Sequence, residues 1–523
     1  MTEVDVIISG LGPTGATLAG LLGQRGVKVA VFDKLPDLFP LPRAAGLDHE
    51  VMRVMQELQV ADRMAPFLAP YRASEYRGMQ GQLIKRLDSA PPPFRLGWAP
   101  NHVFNQPAFE RVIRARLDEL PSVKCDVSAD VVKVGQDEDH AWADVQFAAT
   151  GETTRYRARY LIACDGGSSP IRKQLGIALE DLGFDEPWLV VDAIVNDDKC
   201  ALLPQTQVQY CEAERPSTFV VGVGNHRRWE LMLLPGDSLS SEFPEDELWP
   251  LLERWMRPDE GKIWRAAAYR FHGLVASEWR LGRILLAGDA AHMTPPFMAQ
   301  GMGQGMRDAL NLSWKLERVL AGCSAGLLDT YQQERKPHVT ATTQLAMALG
   351  RVICERDPVR AVDRDARMLA EQGGTVSTTY RQDMIPGLVA GLLVAATPGA
   401  GTILPQPMVR AGGFSGRLDD LSSRSVRVVV CDSITAREGS ALLEALVPLQ
   451  GVLIELGAEA SPPARAATTQ LIRATEEGPL VAPWLKGLNR RFAIVRPDHY
   501  VYGTAETTDD AVQLLRQMRQ ALL

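Results

Sequence analysis

An α/β fold built on a doubly wound parallel sheet is what the sequence predicts, on three observations. Val4-Asp5-Val6-Ile7-Ile8-Ser9 is a β-branched strand that breaks into the turn Gly10-Leu11-Gly12-Pro13-Thr14-Gly15 and then into a helical pattern. Two later apolar runs, Tyr160 to Cys164 and Ile284 to Ala287, each end in a turn that carries an aspartate, Asp165 and Asp289. At 523 residues, 46% of them hydrophobic, the chain is also too long for one ordinary domain and too apolar to be disordered, so two or three packed units are expected.

The first unit reads in order. Ala16 to Gln24 is helical, Gly26 closes the helix, and Val27 to Phe32 is a second buried strand. A G-x-G-x-x-G turn between strand and helix is the setting of a dinucleotide-binding βαβ unit. Gly10 permits the tight turn, Gly12 the approach of backbone to a pyrophosphate, and Gly15 close packing of helix and strand. Asp33, followed by Lys34, ends the second strand where an acid accepts hydrogen bonds from a ribose. The second segment, Asp165-Gly166-Gly167-Ser168-Ser169-Pro170-Ile171-Arg172, opens a helix with Ser169 as cap and Pro170 at its first position. The third, Gly288-Asp289-Ala290-Ala291-His292, runs through Pro295-Pro296 into Gly301-Met302-Gly303-Gln304-Gly305. Both put a carboxylate at a strand's C-terminal end, where doubly wound sheets bind ligands. His292 is read as satisfying local structure, and Trp314 and Leu316 as core of an amphipathic helix.

Charge and cysteine usage exclude several partners. With 56 basic and 64 acidic residues the net charge is −8, and no Lys/Arg cluster stands above that background, so neither nucleic acid nor an anionic membrane is expected. Seven cysteines form no C-x-x-C pair and no zinc-ligand spacing; no metal is expected, and reduced thiols point to a cytoplasmic protein. The apolar stretch Leu388 to Ala396 is far short of the roughly 20 residues that span a bilayer.

The three segments, in this order and spacing, resemble the FAD-dependent aromatic hydroxylases of the p-hydroxybenzoate hydroxylase type. The likeness is to the branch around 3-(3-hydroxyphenyl)propionate hydroxylase and the polyketide hydroxylases. Residues 165–172 fit that family's D-G-x-x-S-x-I/V-R and residues 288–292 its G-D-A-A-H. Asn105-Gln106-Pro107, Arg307-Asp308-Ala309 and Tyr331 to Pro337 also resemble family positions. The resemblance implies an NADH- or NADPH-dependent monooxygenase that hydroxylates a phenolic substrate with O2 through a flavin C4a-hydroperoxide. Epoxidation or Baeyer–Villiger oxidation by the same fold is the alternative. A disulfide reductase would need a cysteine pair, and a flavin halogenase a W-x-W-x-I-P signature; neither is present.

By the same resemblance, Gly10, Gly12, Pro13, Thr14 and Gly15 hold the FAD pyrophosphate and Asp33 and Lys34 its adenosine end. Arg43 and Gln106 reach the phosphates and ribityl chain, Gly288 and Asp289 bind the ribityl or phosphate portion, and Asp165 lies near the path of the nicotinamide coenzyme. Arg172 either aids coenzyme docking or pairs with Asp165. Pro296, Gly301, Met302 and Gly303 bring helix-start amides to the flavin, where negative charge at N1 and O2 of the reduced ring is stabilised. Gly303 stands where the family has asparagine, and Met298-Ala299 where it has glycines.

A proton relay near the substrate hydroxyl would favour the reactive phenolate. Asp48 and His49 are the expected catalytic relay, although the same residues also read as the start of a helix from Val51 to Leu58. Three units follow: an FAD domain over 1–182 and 276–385, an inserted substrate sheet over 183–275, and a thioredoxin-like α/β domain over 400–523. Trp188, Arg215, Arg228, Trp229 and Tyr269 are pocket or interface residues of the inserted sheet. Ile385 to Pro407 reads as a connector. In the tail, strands are expected at Ser425–Val430, Gly451–Leu456 and Phe492–Arg496, with helices from Ala441, over Ala466–Glu476 and over Ala511–Ala521. Cys431 stands alone there, so a structural or dimerisation role is expected and a homodimer is left open.

Overall fold

The computed structural model describes residues 2–240, 243–422, 424–457 and 470–523. The strand Thr2–Ser9 pairs in parallel with Val29–Asp33 on one side and Thr153–Ala163 on the other. Ile284–Leu286 joins in parallel beyond Thr153–Ala163, and Val123–Val127 beyond Val29–Asp33. The three strands that end in the turns at Gly10, Asp165 and Asp289 are therefore immediate neighbours, and their turns open along one edge of the sheet. Pro13–Gly23 is buried at nine consecutive positions from Gly15 to Gly23, because sheet and the helices Gln106–Asp118 and Gly301–Leu320 enclose it. An apolar helix without a polar face needs that setting.

A second, nine-stranded sheet lies among the described residues, centred on the antiparallel strands Leu179–Val195, His226–Met232 and Gly261–Ala276. It is wider than the 183–275 expected of it. The hairpin Ser74–Arg77 and Leu83–Asp88 pairs onto Gln207–Tyr210, and His292–Met293 and Thr378–Tyr380 close the two edges. These added strands are two to six residues long, too short for an alternating pattern to announce them.

The C-terminal sheet is mixed. Arg427–Val430, Val452–Leu456 and Gln470–Glu477 run parallel, flanked by the antiparallel pair Phe492–Val495 and Val501–Ala505. The helix expected over Ala466–Glu476 is a strand from Gln470 onward, and residues 466–469 lie outside those described. Leu471, Ile472 and Ala474 suit either period, and the parallel register against Val452–Leu456 decides for the strand. The helix expected from Ala441 starts at Ala436, where Thr435 and Glu438 form a capping box.

The connector carries no helix or strand from Ile385 to Pro407, yet Leu388, Leu392 and Leu404 are buried along it. It lies between the first sheet and the C-terminal sheet, and two charged knots join the residues on either side. Arg53 and Arg427 both donate to Asp419, at 2.5 Å each. Glu334 accepts from Lys315 Nζ at 2.7 Å and from Arg496 Nη2 and Asn311 Nδ2 at 2.6 Å. No described helix is long and apolar enough to cross a membrane.

Candidate active site

Two connected hollows run along the carboxyl edge of the first sheet. A cleft of about 340 Å³ holds Gly10, Asp33, Lys34 and Asp165, and a cavity of about 510 Å³ holds Thr14, Asp289, Pro296, Gly301 and Met302. Gly12, Pro13, Arg43 and Gln106 border both, so the two form one trough from the second strand's end to the helix Gly301–Leu320. The nine-stranded sheet roofs the far end.

Local chemistry explains each wall. Gly10 has φ +101°, and a Cβ there would stand 2.3 Å from the Cys164 carbonyl oxygen. A Cβ on Gly15 would stand 2.0 Å from the Gly10 carbonyl oxygen. At Gly12 a Cβ would meet nothing within 4 Å, so its bareness serves the trough rather than the protein's own packing. Asp33 accepts from the Leu11 and Leu35 amides, at 2.7 and 2.8 Å, and so ties its strand end to the glycine turn. Gln106 accepts from the Arg43 and Ala44 amides, which fixes the loop bordering both hollows. Asp165 Oδ2 accepts from the Ile171 amide at 3.2 Å, whereas Oδ1 is buried without a partner, and burial pushes this carboxyl above its usual range. Asp289 is exposed to the cavity interior yet enclosed by protein, and that enclosure raises its carboxyl too.

The helix Gly301–Leu320 begins at the cavity with Gln300 as its cap residue, but no side chain caps its first amides. Gln300 instead donates to Asp48 Oδ2 at 3.1 Å and accepts from Arg307 Nη1 at 3.1 Å. The free amide end at Gly301 and Met302 is thus left for an anionic partner.

Several expected positions differ. Gly15, Gly288 and Gly303 line neither hollow. Gly288 has φ +62° and its Cβ would meet Thr14 Oγ1 at 2.5 Å, while Gly303 is closed in by Arg307 Nη1 at 3.0 Å. Each lets the trough's wall close rather than touching its contents. Asp48 and His49 also lie outside the large cavity. Asp48 caps the helix His49–Glu57 through the Glu50 and Val51 amides and receives Arg307 Nη2 at 2.6 Å. Against burial, Arg307 holds its carboxyl at about 2, so it is a fixed anion. His49 is pushed below its usual value by burial and faces smaller hollows beside Gln382. The two brace the helix start and line a smaller hollow instead of the large cavity. Arg172 donates to the Ala290 and Gly167 carbonyls, at 2.8 and 2.9 Å, and so joins the second and third turns. His292 lies 2.7 Å from Asp308 and stacks on Trp279, as the structural reading of it requires.

Of the five residues expected in the substrate sheet, Arg228 and Tyr269 line the cavity. Trp188 packs behind it against Phe271 and Phe297, Trp229 is core, and Arg215 pairs with Asp237 away from it. Sequence reasoning missed Ser74, Gln209, Thr218 and Glu230, which form a polar row on the cavity wall, and Tyr71 with Arg381. Glu230 stands out only once burial is known. His226–Met232 is buried at all seven positions, and a carboxylate in such a strand needs an explanation.

The trough fits FAD on its own geometry. The bare Gly12, the orphaned Asp165 oxygen and the uncapped helix start line one continuous hollow at the strand ends, where an adenine dinucleotide binds. The comparisons agree. A family described as FAD binding domain matches residues 3–346, and one described as HcaD C-terminal domain matches residues 401–521. A probable NADH-specific resorcinol 4-hydroxylase of Rhodococcus jostii (strain RHA1) is 34% identical, over 99% of this chain and 95% of its own length. A 3-(3-hydroxy-phenyl)propionate/3-hydroxycinnamic acid hydroxylase of Escherichia coli O81 (strain ED1a) is 35% identical over 67% of this chain and 62% of its own. The flavin-dependent monooxygenase PieE, solved with FAD and substrate, superposes with a TM-score of 0.82 at 20% identity, covering 99% of both chains. Aklavinone-11 hydroxylase, with FAD and aklavinone, gives 0.76 at 21% over 99% of both, a likeness of fold.

Fold and trough together define an FAD-binding enzyme. The chain belongs to the FAD-binding monooxygenase family, and its similar relatives include aromatic hydroxylases.

Proposed function

We propose that the protein uses NADH, FAD and O2 to hydroxylate a small phenol that carries no carboxylate, of the resorcinol kind. The observation that carries this reading is the likeness, over 99% of this chain, to the probable NADH-specific resorcinol 4-hydroxylase, and most of the cavity's arginines are committed to the protein itself. Arg228 is held by Asp192 at 2.8 Å and by the Arg43 carbonyl at 2.8 Å, and Arg381 by the Tyr71 hydroxyl at 2.7 Å and the Met298 carbonyl at 2.6 Å. Arg270 is half-exposed and pairs with Asp185. Arg43 lies over Phe39 at the border shared with the cleft, on the side of the phosphates. Arg381 has only neutral partners among the described residues, so the choice of a phenol without a carboxylate rests on the Rhodococcus relative rather than on a lack of cations in the cavity.

FAD, when bound, would supply the redox and O2-activating chemistry, with the oxygen atom that enters the ring coming from O2. The chain's part is to bind, orient and exclude water. Gly12 and the first amides of Pro13–Gly23 would take the pyrophosphate, Asp33 the ribose, and Asp289 the ribityl side. The Gly301 and Met302 amides would face the ring's negative edge. Phe271 and Phe297 dry the roof. The choice of NADH rests on the full-length Rhodococcus relative. Cytoplasmic location is supported by seven unpaired cysteines. The mixed C-terminal sheet supports the thioredoxin-like reading of that unit, in a structural or dimerising role. Its lone Cys431 has a thiol pushed up to about 12 by burial, unsuited to exchange.

Steady-state oxidation of NADH and NADPH by the holoenzyme tests the reading. Resorcinol is expected to stimulate NADH oxidation at least about tenfold more than 3-(3-hydroxyphenyl)propionate, the ratio that 1.4 kcal/mol of discrimination gives. Equal stimulation by the two phenols would rule out the neutral-phenol reading.

A further inference from the structure

Glu230 stands apart from every other carboxylate of the trough. It sits on His226–Met232, lines the large cavity and is 7% exposed, yet no described residue donates a hydrogen bond to it. Its nearest cation is Arg228, with Nη1 3.8 Å from Oε1. Arg228 cannot swing closer, because Asp192 and the Pro42 and Arg43 carbonyls hold its guanidinium on the other side. A buried carboxylate that accepts nothing from its own protein is costly unless something else supplies the donor.

We propose that Glu230 receives the substrate's ring hydroxyl and takes its proton, with Thr218 and Gln209 holding the ring's second polar substituent. The inference rests on the phenol reading above. In the step, the phenol O–H bond breaks, a new O–H bond forms on Glu230, and the electron pair stays on the ring oxygen. Nothing is oxidised, and the ring gains the electron density that attack by an electrophilic oxygen requires.

Charge balance supports the transfer. The groups facing Glu230 are Arg228 on its own strand, Asp192 on Leu179–Val195, and Arg265 and Tyr269 on Gly261–Ala276. Asp192 takes Arg228 and lies 2.7 Å from His226 Nε2, while Arg265 donates to the Tyr269 hydroxyl and the Pro42 carbonyl. Two arginines thus face two carboxylates. Moving the proton to Glu230 shifts one negative charge onto the ring oxygen and leaves the net charge of this enclosed site unchanged, so no new charge is buried. Burial also raises the Glu230 carboxyl, which brings it nearer to a phenol in basicity than a solvent-exposed glutamate would be.

The row beside it supplies orientation. Glu230 lies opposite Thr218, and Thr218 opposite Gln209. Thr218 Oγ1 donates to Gln209 Oε1 at 2.6 Å, and Gln209 Nε2 donates to Ser74 Oγ at 3.3 Å. That chain of bonds leaves Thr218 Oγ1 free to accept. One strand spacing, about 4.8 Å, separates Glu230 from Thr218, comparable to two meta substituents on a benzene ring.

The test compares wild-type holoenzyme with Glu230→Gln, using resorcinol as probe. Both kcat and KM are followed against pH, and retained flavin absorption shows that the variant is folded. Wild type is expected to bind resorcinol as the neutral phenol and to pass its proton to Glu230 as the oxygen attacks, with kcat falling as pH drops through the raised Glu230 carboxyl. Glu230→Gln is expected to lose that low-pH limb, with KM within about threefold and kcat down about 100-fold, the contribution of one general base. Its remaining rate should climb toward the phenol's own ionisation, near 10. Glu230→Asp should restore the low-pH limb. If Glu230→Gln keeps the wild-type pH profile of kcat, or keeps kcat within threefold, the base is refuted while the phenol reading survives. If resorcinol neither binds to wild type nor is hydroxylated by it, both fall.

Discussion

Gly10→Ala is expected to yield a protein that no longer retains FAD. Gly10 adopts φ +101°, a region that L side chains enter at a cost, and its new Cβ would sit 2.3 Å from the backbone oxygen of Cys164. Cys164 directly follows the neighbouring parallel strand and its amide donates to the Ser9 carbonyl at 2.7 Å, so neither strand can yield without breaking their ladder. The displaced turn also carries the Leu11 amide that positions Asp33. A loss of FAD affinity of at least about 100-fold, or 2.7 kcal/mol, is expected by equilibrium dialysis, together with a lower apoprotein Tm. Gly12→Ala separates ligand from fold. Its Cβ meets no protein atom, so the apoprotein Tm should stay near that of wild type while FAD binding still weakens. Unchanged FAD affinity in Gly12→Ala would show that the pyrophosphate does not lie against this turn.

Glu334→Gln should produce the largest loss of stability. The carboxylate sits fully buried on Asp329–Ile353 and faces Lys315, Asn311 and Arg496, while the Leu392 amide of the connector donates to it at 2.9 Å. Substitution leaves two buried cations with Asp498 as their remaining anion, and breaking such a pair typically costs about 3–5 kcal/mol. Because Arg496 and Leu392 belong to the joint between units, the substitution should also expose the 385–407 connector to protease. The pH dependence has a definite sign. Against burial, which raises it, Arg496 and Lys315 hold the Glu334 carboxyl at about 2, below its ordinary 4.5. Its contribution is present above pH 4.5 and disappears as pH falls from there toward 2. Burial and Arg496 push Lys315 down to about 8, so Arg496 is the partner that dominates the knot. Denaturant midpoints against pH should therefore converge for wild type and Glu334→Gln toward pH 2. A constant gap down to that pH would place the stabilisation elsewhere.

What could be read from the sequence follows the range over which each signal acts. The three strand-end turns are local: Gly10 to Gly15 and Asp165 to Arg172 each carry strand end, turn and helix start within a dozen residues, and Gly288 to His292 carries strand end and turn ahead of the helix that begins at Gly301. The parallel sheet brings them together as the doubly wound pattern requires. Asp48-His49 shows the opposite case. A carboxylate before a histidine reads both as relay and as helix cap, and the position of Arg307, some 260 residues on, favours the cap. The polar row was illegible for a related reason. Ser74, Gln209, Thr218 and Glu230 sit on four strands, and the face of each strand that meets the cavity is set by sheet packing rather than by its own alternation. The strand Gln470–Glu477 likewise depended on a partner strand that its own residues do not specify.

Product analysis under isotopically heavy O2 addresses the central claim, that this chain is an FAD monooxygenase whose cavity accepts a phenol. The holoenzyme, supplied with NADH and resorcinol, is expected to form a product heavier than the substrate by one oxygen atom, with that atom carrying the label and NADH consumed in equal amount. NADH consumption that yields labelled peroxide alone, across resorcinol and a panel of other phenols, would contradict it.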